Sequence, residues 1–219
     1  QLNNLETTLQ TGTLIFYAQD GSVLSSQNLA LEGNARVDIG AHILGRSIVG
    51  LAAWVPNDPE AEFVMRNARY FHGNDNVGFD VFMSAAEFDG GVGTGREVVV
   101  PLDTQGSSSI VEMSNVLATP VFVRAQIFSS SGELRHTLDV TLPPHATHHL
   151  ISDLYLNGEK GLATVVASEP ESILTSSMTY GYNARGSVSY FYGVNGTEAI
   201  GTVLRGSYNA YINQGCKLV

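Results

Sequence analysis

Apolar and polar residues alternate along this chain in short runs, with turn residues between them every 8–12 positions. Residues 13–17 (Thr-Leu-Ile-Phe-Tyr) lead into Asp20-Gly21 and then into a second run, 23–29. Two β-rich runs joined through Asp-Gly predict an antiparallel hairpin. Residues 123–128, Ser131-Gly132 and 134–142 predict another of the same form. Further strands are expected at 35–39, 48–55, 61–71 and 78–82, and again at 146–150, 162–167, 172–182 and 188–192. Short helical links are expected at 41–45 and 152–156. Sustained helical periodicity is missing, and the pattern predicts an all-β sandwich.

The expected strands occur twice. Shifted by 111, the chain matches itself without gaps from Asn4 to Glu60. The identities are Asn4/Asn115, Thr8/Thr119, Gly21/Gly132, Leu31/Leu142, Ala35/Ala146, Gly50/Gly161, Leu51/Leu162, Ala52/Ala163, Pro59/Pro170 and Glu60/Glu171. Glycine and proline punctuate turns, so their shared spacing implies shared loops. Beyond residue 71 the copies diverge in length, with Val92-Gly93-Thr94 answered by Ile200-Gly201-Thr202 and Gln105-Gly106 by Gln214-Gly215. Each unit has the size of an immunoglobulin-type domain. The expected organisation is therefore two tandem Ig-like antiparallel β-sandwich domains, 1–108 and 109–219, joined at the short stretch 105–109.

The Asn-start strand, the Asp-Gly hairpin, the Leu142-Pro143-Pro144-His145 turn and the Ser207-Tyr208-Asn209-Ala210-Tyr211 segment carry a resemblance. With them the unit resembles the Ig-like or fibronectin-III-like β-sandwich repeats of secreted and surface bacterial proteins. That resemblance implies a spacer, an adhesive module or an assembly unit. The Cys and Trp markers of true immunoglobulin domains are missing, since Trp54 has no cysteine pair around it.

The junction between copies, Ile110-Val111-Glu112-Met113-Ser114-Asn115, predicts one strand crossing the boundary. Written end to end, Leu218-Val219 and Gln1-Leu2-Asn3-Asn4 reproduce it in register. The chain reads as two periods cut inside that strand. Either it belongs to a longer array, or the ends of neighbouring subunits meet, or the termini simply lie in edge strands. In the second case Gln1, Leu2, Asn3 and Asn4 pair in trans with Cys216, Lys217, Leu218 and Val219. A head-to-tail contact that does not close gives a filament.

Composition narrows the classes. The chain has 219 residues, 43% hydrophobic and 15% charged, which excludes intrinsic disorder. It holds no apolar run long enough for a membrane-spanning helix. Acids outnumber bases 21 to 11, and the net charge of −10 repels phosphate backbones, so no nucleic-acid partner is expected. Only Lys160 and Lys217 are lysines, while twenty Ser and fifteen Thr predict a hydroxyl-rich surface. Such a surface suits a secreted or cell-surface protein, or one packed against copies of itself. Cys216 is the single cysteine, so it is either a buried thiol or an intermolecular partner. The chain starts at Gln1 without a charged and then apolar leader, and a processed form or an excised fragment is expected.

Candidate chemistry is sparse. His145, His148 and His149, with His136 nearby, have imidazoles that can bind Zn or Cu. Neighbouring strand residues point to opposite faces, so only one of His148 and His149 can join His145. Asp75, Asp80, Glu87 and Asp89 fall in a glycine-rich stretch, 73–95, a candidate Ca²⁺-binding loop without EF-hand spacing. The bland reading, a solvated cluster and solvated turn carboxylates, is favoured for both. Asn195-Gly196-Thr197 is a glycosylation sequon. Tyr180 and Tyr182 share one strand face, and Tyr190 and Tyr192 another, which offers a glycan or protein contact surface or simple burial. No P-loop, dinucleotide fingerprint, HExxH or Gly-x-Ser-x-Gly elbow is present. The expectation is a non-enzymatic extracellular structural protein without a cofactor, self-associating or part of an array. The alternatives are a surface adhesin or glycan-binding module, or an accessory domain of a secreted hydrolase.

Overall fold

The computed structural model describes residues 1–45, 48–74, 80–91 and 97–198, with backbone alone at 42, 70–74 and 80–85. Its first half contains β1 (Leu2–Asn4), β2 (Gln10–Tyr17), β3 (Val23–Leu31), β4 (Arg36–Val37), a 3-10 turn (Ala41–Leu44), β5 (Ala52–Pro56), β6 (Phe63–Asn74) and β7 (Asp80–Asp89). The second half contains β8 (Glu97–Asp103), β9 (Ser107–Asn115), β10 (Val121–Ser129), β11 (Leu134–Leu142), β12 (Thr147–Ile151), α1 (Asp153–Leu156), β13 (Lys160–Ala167), β14 (Ile173–Tyr182) and β15 (Val188–Asn195). The fold is all-β, with antiparallel sheets ordered β3-β2-β5 and β4-β1-β6-β7, then β11-β10-β13-β8 and β12-β9-β14-β15. The second pair repeats the first strand for strand, with β8 added at the edge of β13.

One expectation changes here. The stretch 73–95 is not one long loop: its residues Asp80–Asp89 form β7, paired with β6 from Arg66↔Asp89 to Asn74↔Asp80. β9 spans the junction at 108/109, and residues 97–103 pair with β13 in the second half. Backbone pairing therefore commits β8 to the later sheet although it lies on the earlier side of the expected boundary.

The repeated identities have physical causes. Asn4 Nδ2 donates to the carbonyls of Thr8, Leu31 and Glu32 at 3.0–3.1 Å, and its Oδ1 accepts the Glu6 N–H. Asn115 Nδ2 donates to Thr119, Leu142 and Pro143, and its Oδ1 accepts the Leu117 N–H. Every partner is displaced by 111, and both side chains are buried. One amide thus satisfies four backbone groups where strand ends converge. Gly21 and Gly132 take φ of 87° and 83° in equivalent turns, a region that glycine enters without strain. A Cβ on Gly50 would strike the Tyr17 carbonyl, and one on Gly161 the Phe128 carbonyl, again 111 apart.

The largest buried cluster lies in the second half. Strict alternation along β10 sends Val121, Val123, Ala125 and Ile127 inward, each fully buried. They meet Val111 and Met113 of β9 and Val100 and Leu102 of β8. The first half buries Leu2, Leu14, Phe16, Tyr17 and Leu31. Hydroxyls are not confined to the surface: Ser109, Ser152, Ser172, Ser177 and Thr179 are buried. Ser109 Oγ bonds to Thr179 Oγ1 at 2.7 Å, and Ser152 Oγ donates to the Ser109 carbonyl at 2.6 Å. Part of the low-charge composition thus serves the interior.

Candidate functional site

Two places combine polar chemistry with exposed backbone. The first is the seam between the halves. Register puts His149 of β12 and Ser176 of β14 opposite Glu112 of β9, on the sheet face that turns toward the first half. Arg69 of β6 reaches across, and its two Nη atoms donate to the Glu112 oxygens at 2.7 Å each. Its guanidinium lies 4.7 Å over the Phe88 ring. Ala86 and Phe88 of β7 pack with Met178 and Phe191, and Tyr180 flanks them. At the other end of the seam Tyr17 stacks on His145 at 4.3 Å, and the Thr147 N–H donates to the Gln19 carbonyl.

Charge and burial set the protonation of the groups in this seam. Burial alone raises the Glu112 pKa, but the Arg69 bonds outweigh it and hold the carboxyl below its ordinary value. Burial is also the main cause that lowers the His149 pKa. Glu112, with Nε2–Oε1 at 3.4 Å, opposes the shift without reversing it, so the ring is held neutral. Burial raises the Tyr180 pKa, and Glu112 adds to it. Ser176 donates to Glu112 at 3.4 Å and not to the imidazole. A nucleophilic serine needs a base on its own hydroxyl, and this arrangement lacks that order.

The sequence-derived candidates do not converge. His145 stacks on Tyr17, His136 stacks on Tyr155 at 3.7 Å, and His149 faces Glu112. His148 alternates to the opposite face of β12 from His149. Asp89 pairs with Arg66 at 3.2 Å, while Asp75 lies outside the described residues, as does the side chain of Asp80. Among the described residues no three His, Cys, Asp or Glu side chains gather where a metal ion could sit. Asn195 is exposed at the end of β15, open to modification. Tyr190 and Tyr192 stack at 6.5 Å, with Tyr190 exposed, whereas Tyr180 packs against Phe191 on the seam. The tyrosines therefore divide between two faces.

The second place is a strand edge in the first half. Leu2, Asn3 and Asn4 are not themselves an open edge: β4 flanks Leu2 and Asn3, and β6 flanks all three. In the second half β9 covers β14 from Asn115↔Ile173 to Ser107↔Gly181. In the first half β1 covers β6 only from Asn4↔Phe63 to Leu2↔Met65, with Gln1 and Arg66 exchanging backbone hydrogen bonds next to them. The outer side of β5 is unpaired among the described residues, where β13, its counterpart, is covered by β8. Cys216, Lys217, Leu218 and Val219 lie outside the described residues.

No protein-family model matches the chain, and no curated protein does. A crystal structure of Thermotoga maritima 1070 is similar over 48% of this chain and 94% of that chain, at 11% identity and a TM-score of 0.38. No helix among the described residues is long and apolar enough to cross a membrane.

Proposed function

We propose that this chain is a tandem pair of Ig-like β-sandwich units with a structural, non-enzymatic role at the cell surface or outside the cell. Copies join head to tail through β-strand pairing, as a filament or within a longer array. The observation that supports this reading is the asymmetry between the halves: the same strand order, with β8 added beside β13 in the second and the outer side of β5 unpaired among the described residues in the first. An unpaired strand edge is a template for another strand. The seam adds support, since its bidentate Arg69–Glu112 pair and its Phe88–Met178–Phe191 packing make a rigid joint. Electron microscopy and sedimentation of concentrated protein test the reading. Linear assemblies that dissociate on dilution are expected, and a monomer at every concentration overturns it. Glycan adhesion is the second reading, favoured by the exposed Tyr190 beside Tyr192. It predicts glycan-array binding by the monomer.

A further inference from the structure

The seam is a docking surface between two units that are otherwise separate. Among the described residues no strand of one half pairs with a strand of the other. Each half also encloses apolar residues of its own. The cluster around Val111, Val123 and Val165 draws only on the second half. Leu2, Leu14, Phe16 and Leu31 are buried in the first. The covalent connection between the halves is residues 90–96, from the end of β7 to the start of β8. Four of those seven residues are glycine, which has the widest choice of backbone conformations.

This surface has the features of an interface between subunits. Ala86, Phe88, Met178 and Phe191 are each at most 7% exposed. Phe88 lies over Gly193, where a Cβ would strike its ring. Arg69 donates to both Glu112 oxygens and lies over the same Phe88 ring. At the other end Gly21 sits so close to the Pro144 carbonyl that a Cβ would strike it, beside the stack of Tyr17 on His145. The Thr147 N–H donates to the Gln19 carbonyl next to them. Packed aromatic and arginine anchors of this kind dominate the affinity of protein interfaces. None of these contacts depends on which chain supplies the first half.

We infer that this seam also forms between copies: the first half of one chain docks on the second half of another, through the same Arg69–Glu112 and Phe88–Gly193 contacts. Two chains that exchange first halves close as a dimer, and exchanges that do not reciprocate run on as a filament. Within one chain a short link holds the halves at an effective concentration on the order of millimolar. Exchange is therefore favoured at high protein concentration, or where a chain cannot close its own seam. This joint is separate from the strand pairing proposed above.

Paired charge reversals test this in the full chain, at a dilution where wild type is monomeric. Arg69→Glu sets like charge against Glu112, and Glu112→Arg sets like charge against Arg69, so neither variant closes its own seam. When the two chains exchange, the substituted side chains meet in one seam and the native Arg69 and Glu112 in the other. Each variant alone is expected to sediment at the monomer mass of 23.4 kDa, and an equimolar mixture refolded together at twice that mass. Both substitutions in one chain are expected to restore the monomer. Phe88→Ala and Gly193→Leu form a second pair, matched by size, and decide the question if a charge-reversed chain does not fold. Folded variants that stay monomeric when mixed overturn this inference, and wild type that assembles at higher concentration then leaves the assembly reading standing. A dimeric mixture beside a wild type that is monomeric at every concentration upholds the exchange and overturns the assembly reading.

Discussion

Asn115 and Asn4 show how much one buried side chain can fix. Each ties the end of its opening strand to two other backbone segments through three donated bonds and one accepted bond. Replacing Asn115 with Ala strands three carbonyls and one N–H, of which the Leu142 carbonyl is buried. We expect a loss of about 3 kcal/mol, read as a lower urea midpoint at unchanged slope. A loss below about 1 kcal/mol would show that water replaces the amide. The identity at 111-residue spacing made these asparagines visible in the sequence, but not their role. Polar residues in a strand pattern ordinarily read as solvent-facing, and only the convergence of two turns on the amide explains their burial. The buried serines and threonines were hidden for the same reason: a hydroxyl satisfied by a nearby carbonyl is indistinguishable in sequence from one satisfied by water.

At the scale of elements, the decisive strand is β8. Its Val98 and Val100 are fully buried, and its Pro101 falls on the side away from β13, where a missing N–H breaks no bond of that pair. Val100→Ala is expected to cost about 2 kcal/mol of unfolding free energy, because the cavity lies inside the main core. Val55→Ala, on exposed β5, should change stability by less than about 0.5 kcal/mol. Chemical denaturation of the two variants side by side checks the contrast, and equal losses would contradict the assigned burial. The hairpins β2–β3 and β10–β11 fall where Asp20-Gly21 and Ser131-Gly132 placed them. Hairpins are legible because their partner is the next run in the chain. The destination of β8 was not, because its partner is some 60 residues away.

For the whole molecule, the seam couples the halves through charge. His149 is held neutral in the fold, so the unfolded chain binds its proton first as pH falls. Stability is therefore expected to decline as pH drops below the ordinary histidine value of about 6.5. Glu112 acts lower: its depressed folded pKa gives stability that is present above the ordinary glutamate range and lost as pH falls through the folded value. His149→Gln should remove the first decline and leave the second. Urea midpoints measured from pH 7.5 to pH 4 check this, and an unchanged profile between about pH 7 and 5.5 would contradict it. Neither Arg69 nor Glu112 stood out in the sequence. They lie 43 residues apart on different strands, and isolated charges in alternating patterns look like solvated faces.

The sequence by itself determined the period of 111, the β character, the hairpins and the glycine and asparagine positions that every copy of the unit needs. Those features are local: alternation has a period of two residues, a tight turn spans four, and each is written where it acts. Only the tertiary structure decided that β8 joins the later sheet, that Arg69 meets Glu112, and that the outer side of β5 has no partner among the described residues. Backbone edges are chemically alike, so the choice among them depends on which side chains a closed core can bury together. That is a sum over distant residues which no short stretch of sequence contains.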